Sequence, residues 1–212
     1  MKKMLVFCLA AMLLLAGCSA QSESSASAQT IKAADVPDYY EEYTKNPQVA
    51  DDRWIQEPGQ TMRDNKGEAK LKAFAPVGET YTIGSIELTV REAKIFQYKP
   101  EYSLIDFYHS YTHDMEFDVA KLFVEIKNTS DEPLYFAPLA LLETSGGETK
   151  LWEDDIYLEE LNGEIAPGKT KKGNIGYIVE NADIDSLSIT TSDVFDEKDQ
   201  KQAEALQFNV QF

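Results

Sequence analysis

Hydrophobic side chains recur at every second position in four separate runs of this chain. Ile86, Leu88 and Val90 alternate with Glu87, Thr89 and Arg91, and Leu122, Val124 and Ile126 alternate with Phe123, Glu125 and Lys127. Ile175, Tyr177 and Val179 alternate with Asn174, Gly176 and Ile178; Leu206, Phe208, Val210 and Phe212 alternate with Gln207, Asn209 and Gln211. An extended strand sends successive side chains to opposite faces, so each run describes a strand with one buried face. Turn-forming residues separate the runs: Gly84-Ser85, Asn128 to Pro133, Ser145-Gly146-Gly147, Asn162-Gly163 and Pro167-Gly168. Weaker strands fit 134–136, 140–144, 149–152 and 187–190. Seven or more short strands with turns between them predict an antiparallel β-sandwich. No helical stripe appears here, which argues against a parallel α/β sheet.

The start of the chain follows a different rule. Lys2 and Lys3 precede an uncharged apolar run from Met4 to Ala16, the length of a signal-peptide core and short of the roughly 20 apolar residues that a membrane span needs. The run ends in Leu15-Ala16-Gly17-Cys18, which resembles the lipobox of bacterial lipoprotein precursors. That resemblance implies a signal peptide over 1–17, a diacylglyceryl group on the Cys18 thiol and cleavage just before Cys18. Two or more acyl chains on one residue hold a protein stably at a bilayer. The expected address is therefore the extracytoplasmic face of the cell membrane, reached through lipid on Cys18. Cys8 leaves with the signal peptide, so the mature protein has no disulfide and its core alone must hold the fold.

Ser/Ala-rich residues 18–33 read as a flexible tether. Residues 34–75 read as a partly ordered extension. In it Tyr39, Tyr40, Tyr43 and Trp54 are too aromatic for plain linker, and docking on the next domain accounts for them better than a ligand site does. Asp35 and Pro37 suit the start of a short helix, and Asn65-Lys66-Gly67 a turn. The sandwich is expected over 76–212.

Three segments of that region carry a family resemblance. Val77-Gly-Glu-Thr-Tyr-Thr-Ile-Gly-Ser-Ile-Glu-Leu-Thr-Val90 opens it, Phe123-Val-Glu-Ile-Lys-Asn-Thr-Ser-Asp-Glu-Pro-Leu134 follows, and Ile165-Ala-Pro-Gly-Lys-Thr-Lys-Lys-Gly-Asn-Ile-Gly-Tyr177 comes late. In order and spacing these resemble the telokin-like, immunoglobulin-fold domains of Gram-positive secreted proteins and lipoproteins. The resemblance implies an immunoglobulin-like sandwich and no particular chemistry. The chain departs from the pattern in a long stretch, 97–118.

Charge removes one class of partner. Without Lys2 and Lys3, the 20 basic residues fall to 18 against 37 acidic ones. Phosphate backbones repel such a surface, so nucleic acid is excluded. Basic partners or divalent cations suit it, as does plain solubility.

Few residues suggest chemistry. His109 and His113 would share a helical face with Asp106 and Asp114 nearby, which could form a metal site; loop histidines are the simpler reading, and no metal site or cofactor is assigned. Phe96, Tyr98, Tyr102, Phe107, Tyr108 and Tyr111 offer either a partner-binding face or an aromatic flap. Acid clusters at Asp51-Asp52, Glu153-Asp154-Asp155, Glu159-Glu160 and Asp193 to Asp199 could bind calcium, although none has the spaced calcium-loop pattern. Two of the 37 acids at glycosidase spacing are expected by chance. The chain has no Gly-x-Ser-x-Gly elbow, phosphate-cradling loop or mature thiol nucleophile. The expected function is a membrane-anchored, non-enzymatic binding module with a protein or envelope partner. The alternatives are a lipoprotein that binds calcium or a solute through its acidic loops, and a carboxylate hydrolase.

Overall fold

The computed structural model describes residues 36–212 and is nearly all β. The signal peptide, Cys18 and the tether lie outside the described residues. The strands are β1 (Thr61–Arg63), β2 (Gly67–Ala75), β3 (Glu79–Ile83), β4 (Ile86–Pro100), β5 (Phe117–Asn128), β6 (Leu134–Phe136), β7 (Leu141–Thr144), β8 (Thr149–Leu151), β9 (Gly163–Ile165), β10 (Thr170–Val179), β11 (Ser186–Thr190), β12 (Val194–Phe195), β13 (Lys201–Ala203) and β14 (Gln207–Gln211). One sheet runs β1-β2-β4-β5-β10, with β3 also paired to β4. Two smaller sheets run β14-β11-β7-β8 and β13-β12-β6-β9. Every pairing is antiparallel. Ile86, Leu88, Leu122 and Val124 of the large sheet share one core with Leu142, Leu187, Ile189 and Phe208 of the small ones, which makes the β-sandwich. The four alternating runs are β4, β5, β10 and β14.

A bulge in β4 opens a second core. Val90 pairs with Val124 and Glu92 with Phe123, so Arg91 is the extra residue. Up to Val90 the face opposite the sandwich core is half open. Past the bulge, Glu92, Lys94, Phe96 and Tyr98 on that face are all buried. The sequence there still alternates charged and apolar residues from Glu92 to Ile95, so nothing local marks the charged face as covered.

The cover comes from residues expected to be peripheral. Residues 36–64 form a strap across the sheet, with Tyr40, Val49, Ala50, Ile55 and Met62 buried. Residues 36–75, expected as part of a partly ordered extension, belong to the fold: they supply β1 and β2, and β2 pairs with β4 from Gly67↔Pro100 to Ala75↔Ala93. The sheet therefore begins before residue 76, because β4 is long enough to take a partner on its second half as well as its first. The stretch expected as an insertion over 97–118 is shorter, since β4 continues to Pro100 and β5 starts at Phe117. Between them α1 (Ile105–Tyr108) lies over the sheet, and the Tyr108 hydroxyl donates to the Gln48 carbonyl at 3.0 Å. Phe96, Tyr98 and Tyr108 are buried there, so the aromatic stretch is chiefly a flap; Tyr102, at 87% exposure, is the one turned to water.

Candidate functional site

The strap brings Asp52 onto Glu92, Lys94 and Lys121, and all four are buried. Lys121 Nζ stands 2.6 Å from Asp52 Oδ2 and 3.4 Å from Glu92 Oε1; Lys94 Nζ stands 3.1 Å and 2.8 Å from the same oxygens. Tyr39 and Tyr40 donate their hydroxyls to Glu92 at 2.5 and 2.6 Å. Burial works to raise both carboxyls, but Lys121 and Lys94 outweigh it and hold Asp52 and Glu92 below their ordinary values. For Tyr40, burial and then Glu92 and Asp52 push the hydroxyl well above its usual range. The cluster is two cations against two anions with its hydrogen bonds internal. The space beside it, bordered by Tyr43, Asp51, Asp52 and Tyr157, is about 10 Å³, room for no more than a water. It fastens the strap to the sheet rather than receiving a ligand.

The free edge of β10 is closed differently. Asp155 Oδ1 accepts from the Gly176 amide at 2.9 Å, and Glu159 Oε2 accepts from the Asn174 amide at 2.8 Å. These two amides would otherwise offer an open strand edge to another chain. Between the acids, Tyr157 lies against the strand. A Cβ on Gly176 would come within 2.5 Å of its ring, so only glycine admits this contact. The segment is also strained: Leu158 and Glu160 hold φ of 53° and 52°, a region that costs a non-glycine residue on the order of 1 kcal/mol or more.

Under this loop lies a cleft of about 320 Å³. Leu139, Leu161 and Ile175 give it apolar walls, and Glu153, Asp155 and Glu160 also line it. At its rim Trp152 and Leu158, two large apolar side chains, are 54% and 53% exposed. Tyr177, 0% exposed, lines the cleft and its hydroxyl has no hydrogen-bond partner. Burial first, then the charges of Asp155 and Asp154, push that hydroxyl above its ordinary range.

Burial pushes the Asp155 carboxyl from 3.8 up to about 6, against the pull of the Gly176, Tyr157 and Leu158 amides that donate to it. A folded value above the unfolded one means the folded state keeps a proton that the unfolded chain has released. This group's contribution is therefore full below roughly pH 4 and is lost as pH rises through about 6, a change of up to about 3 kcal/mol. Urea unfolding at pH 4.5 and pH 7 should show the parent losing more stability with rising pH than Asp155→Asn does. Equal losses would contradict the shift.

The residues singled out by sequence are scattered. His109 and His113 have ring centroids 5.6 Å apart, and among the described residues no group of three or more His, Cys, Asp or Glu is placed to hold a metal. Asp51 is engaged by Arg53 at 2.7 Å and Lys45 at 2.9 Å, Asp193 by Lys201 at 2.8 Å, and Asp196 by the amides of Lys198 and Gln200. Among the described residues no helix is long and apolar enough to cross a membrane. Sequence reasoning named Glu153, Asp155 and Glu160 only as calcium candidates and did not use Trp152, Leu158 or the hydroxyl of Tyr177. The local signal was Leu151-Trp152 abutting an acidic run in a loop.

Residues 75–202 match a family described as Domain of unknown function (DUF4352). The Uncharacterized protein YdhF of Bacillus subtilis (strain 168) is 42% identical over 225 residues, covering 94% of this chain and 95% of that protein. Among solved structures, a functionally unknown protein from Listeria monocytogenes EGD-e overlays with a TM-score of 0.50 at 15% identity, covering 69% of this chain and 87% of that one. The likeness to the Listeria protein is one of fold.

Proposed function

The chain belongs to the DUF4352 family, and from that premise we propose that it is a lipid-anchored extracytoplasmic binding module of the telokin-like, immunoglobulin-like kind, which takes its ligand in the cleft beneath residues 151–162. The observation that carries this reading is the coincidence, at one place, of a cavity, two exposed apolar residues that line it and a tyrosine whose buried hydroxyl has no partner. A buried polar group left unpaired costs free energy until something supplies a hydrogen bond. Exposed apolar surface around a concavity marks a contact site.

Binding suits the cleft better than catalysis. Asp155, the acid with the raised value, already accepts three backbone amides and holds the loop, so it is not a free proton donor. The anchor rests on the resemblance of Leu15-Ala16-Gly17-Cys18 to a lipobox. Labelled palmitate should enter the parent and not Cys18→Ala, and the variant should leave the membrane fraction; a variant that stays bound as the parent does overturns the anchor. A photo-crosslinker at position 158 in intact cells should trap an adduct that the same group at position 102 does not. Identical adducts at both positions, or none at 158, overturn the cleft.

A further inference from the structure

Resting on the cleft assigned above, we infer that its ligand is an organic cation on an apolar stem, an alkyl- or arylalkyl-ammonium. The apolar half follows from Leu139, Leu161 and Ile175, which bury methylene or ring surface and form no hydrogen bond with their side chains. The cavity of about 320 Å³ equals the liquid volume of about ten waters, the scale of a ligand with a dozen or so non-hydrogen atoms.

The cationic half follows from charge. Three carboxylates, Glu153, Asp155 and Glu160, line the cleft and no lysine or arginine does. Lys171, beside the loop, donates its ammonium to the carbonyls of Glu160 and Asn162 at 3.1 and 3.4 Å, and so sits on the backbone rather than on these acids. Low-dielectric walls concentrate the field of such a cluster, which repels an anionic ligand. Trp152 at the rim presents the ring type best suited to receive an ammonium on its face.

The second, independent pointer is Tyr177. Tyr177 lines the cleft and its buried hydroxyl has no partner, so its oxygen is free to accept an N–H from the ligand. A carboxylate ligand would instead bring a fourth anion to the same place.

Three probes with one stem separate these contributions: 4-phenylbutylamine, 4-phenylbutanol and 4-phenylbutyrate. They are titrated calorimetrically at pH 7.5 into the mature lipidated protein in phosphatidylcholine nanodiscs, with empty discs as reference. The amine should bind at least about tenfold tighter than the butyrate, with the alcohol between them. High salt should narrow the gap, because exposed charges are screened. The pair Glu153→Gln and Glu160→Gln should weaken the amine severalfold and leave the alcohol unchanged. If the butyrate matches the amine, or the glutamine pair weakens neither, the cationic ligand is overturned while the cleft stands, provided Leu158→Arg still abolishes binding. If none of the three probes binds, the cleft itself is overturned.

Discussion

Replacing Glu92 with leucine is expected to destabilise the protein by roughly 3–5 kcal/mol, a large share of the 5–15 kcal/mol that holds a typical domain together. The loss comes from what stays behind. Lys94 and Lys121 would share the single carboxylate of Asp52 in a place where none of the three reaches water. The hydroxyls of Tyr39 and Tyr40 would lose their acceptor as well. The ion pairs themselves add little net stability, because bringing four charges out of water cancels much of their attraction. A quadruple variant, Asp52→Leu, Glu92→Leu, Lys94→Met and Lys121→Met, is therefore expected to regain most of the loss and to equal or exceed the parent. Urea unfolding of the parent, the single variant and the quadruple variant separates the two effects. A Glu92→Leu protein within about 1 kcal/mol of the parent would mean that the cluster is hydrated and the buried arrangement wrong.

The same cluster shows where reading the sequence stops. In Arg91-Glu92-Ala93-Lys94-Ile95 the charged and apolar residues alternate as they do on a strand with one wet face. Nothing local says that the wet face is covered. Besides Glu92, the counter-ion for Lys94 and Lys121 is Asp52, about 40 and 70 positions earlier, beside an Asp51 whose partners Arg53 and Lys45 are near in sequence. Two adjacent aspartates looked alike; one closes a surface ion pair and the other anchors the strap. The sandwich core was legible because its strands bury one face against other strands and so print a period of two. The aromatic strap was legible as docking surface, and Tyr40 does pack on Phe123, with ring centroids 4.2 Å apart and the rings tilted by 43°. Its target was not, since the alternation in β5 places Phe123 on the outward face with Glu125 and Lys127. The cleft left less trace still. Leu139, Trp152, Leu161 and Tyr177 meet only through the order of the sheets, and Tyr177 reads in sequence as an ordinary core aromatic. Among these residues only Trp152, in a polar loop, was out of place for its surroundings.

A chain that begins at residue 75, where the family match starts, is expected not to fold as a stable monomer. It would lack the strap, β1 and nearly all of β2, and with them Val49, Ile55, Met62 and Leu71 from the second core and the buried Tyr40. Burying a side chain of this kind is worth about 1.5–3 kcal/mol, so five of them amount to on the order of 10 kcal/mol, comparable with the whole stability of a domain. Phe96, Tyr98, Val119 and Phe123 would face water, and Lys94 and Lys121 would keep only Glu92. The second half of β4 would also become an open edge from Ala93 to Pro100, a template for pairing with another chain. Insoluble protein is the expected product, or a soluble form that binds a hydrophobic dye and unfolds without a cooperative transition. A monomer with one sharp urea transition near that of the mature protein would show instead that the sandwich core suffices and that the strap is dispensable for folding. On the expected outcome, the folding unit of this chain exceeds the family unit, because β4 continues past its bulge and each of its two faces then needs a cover.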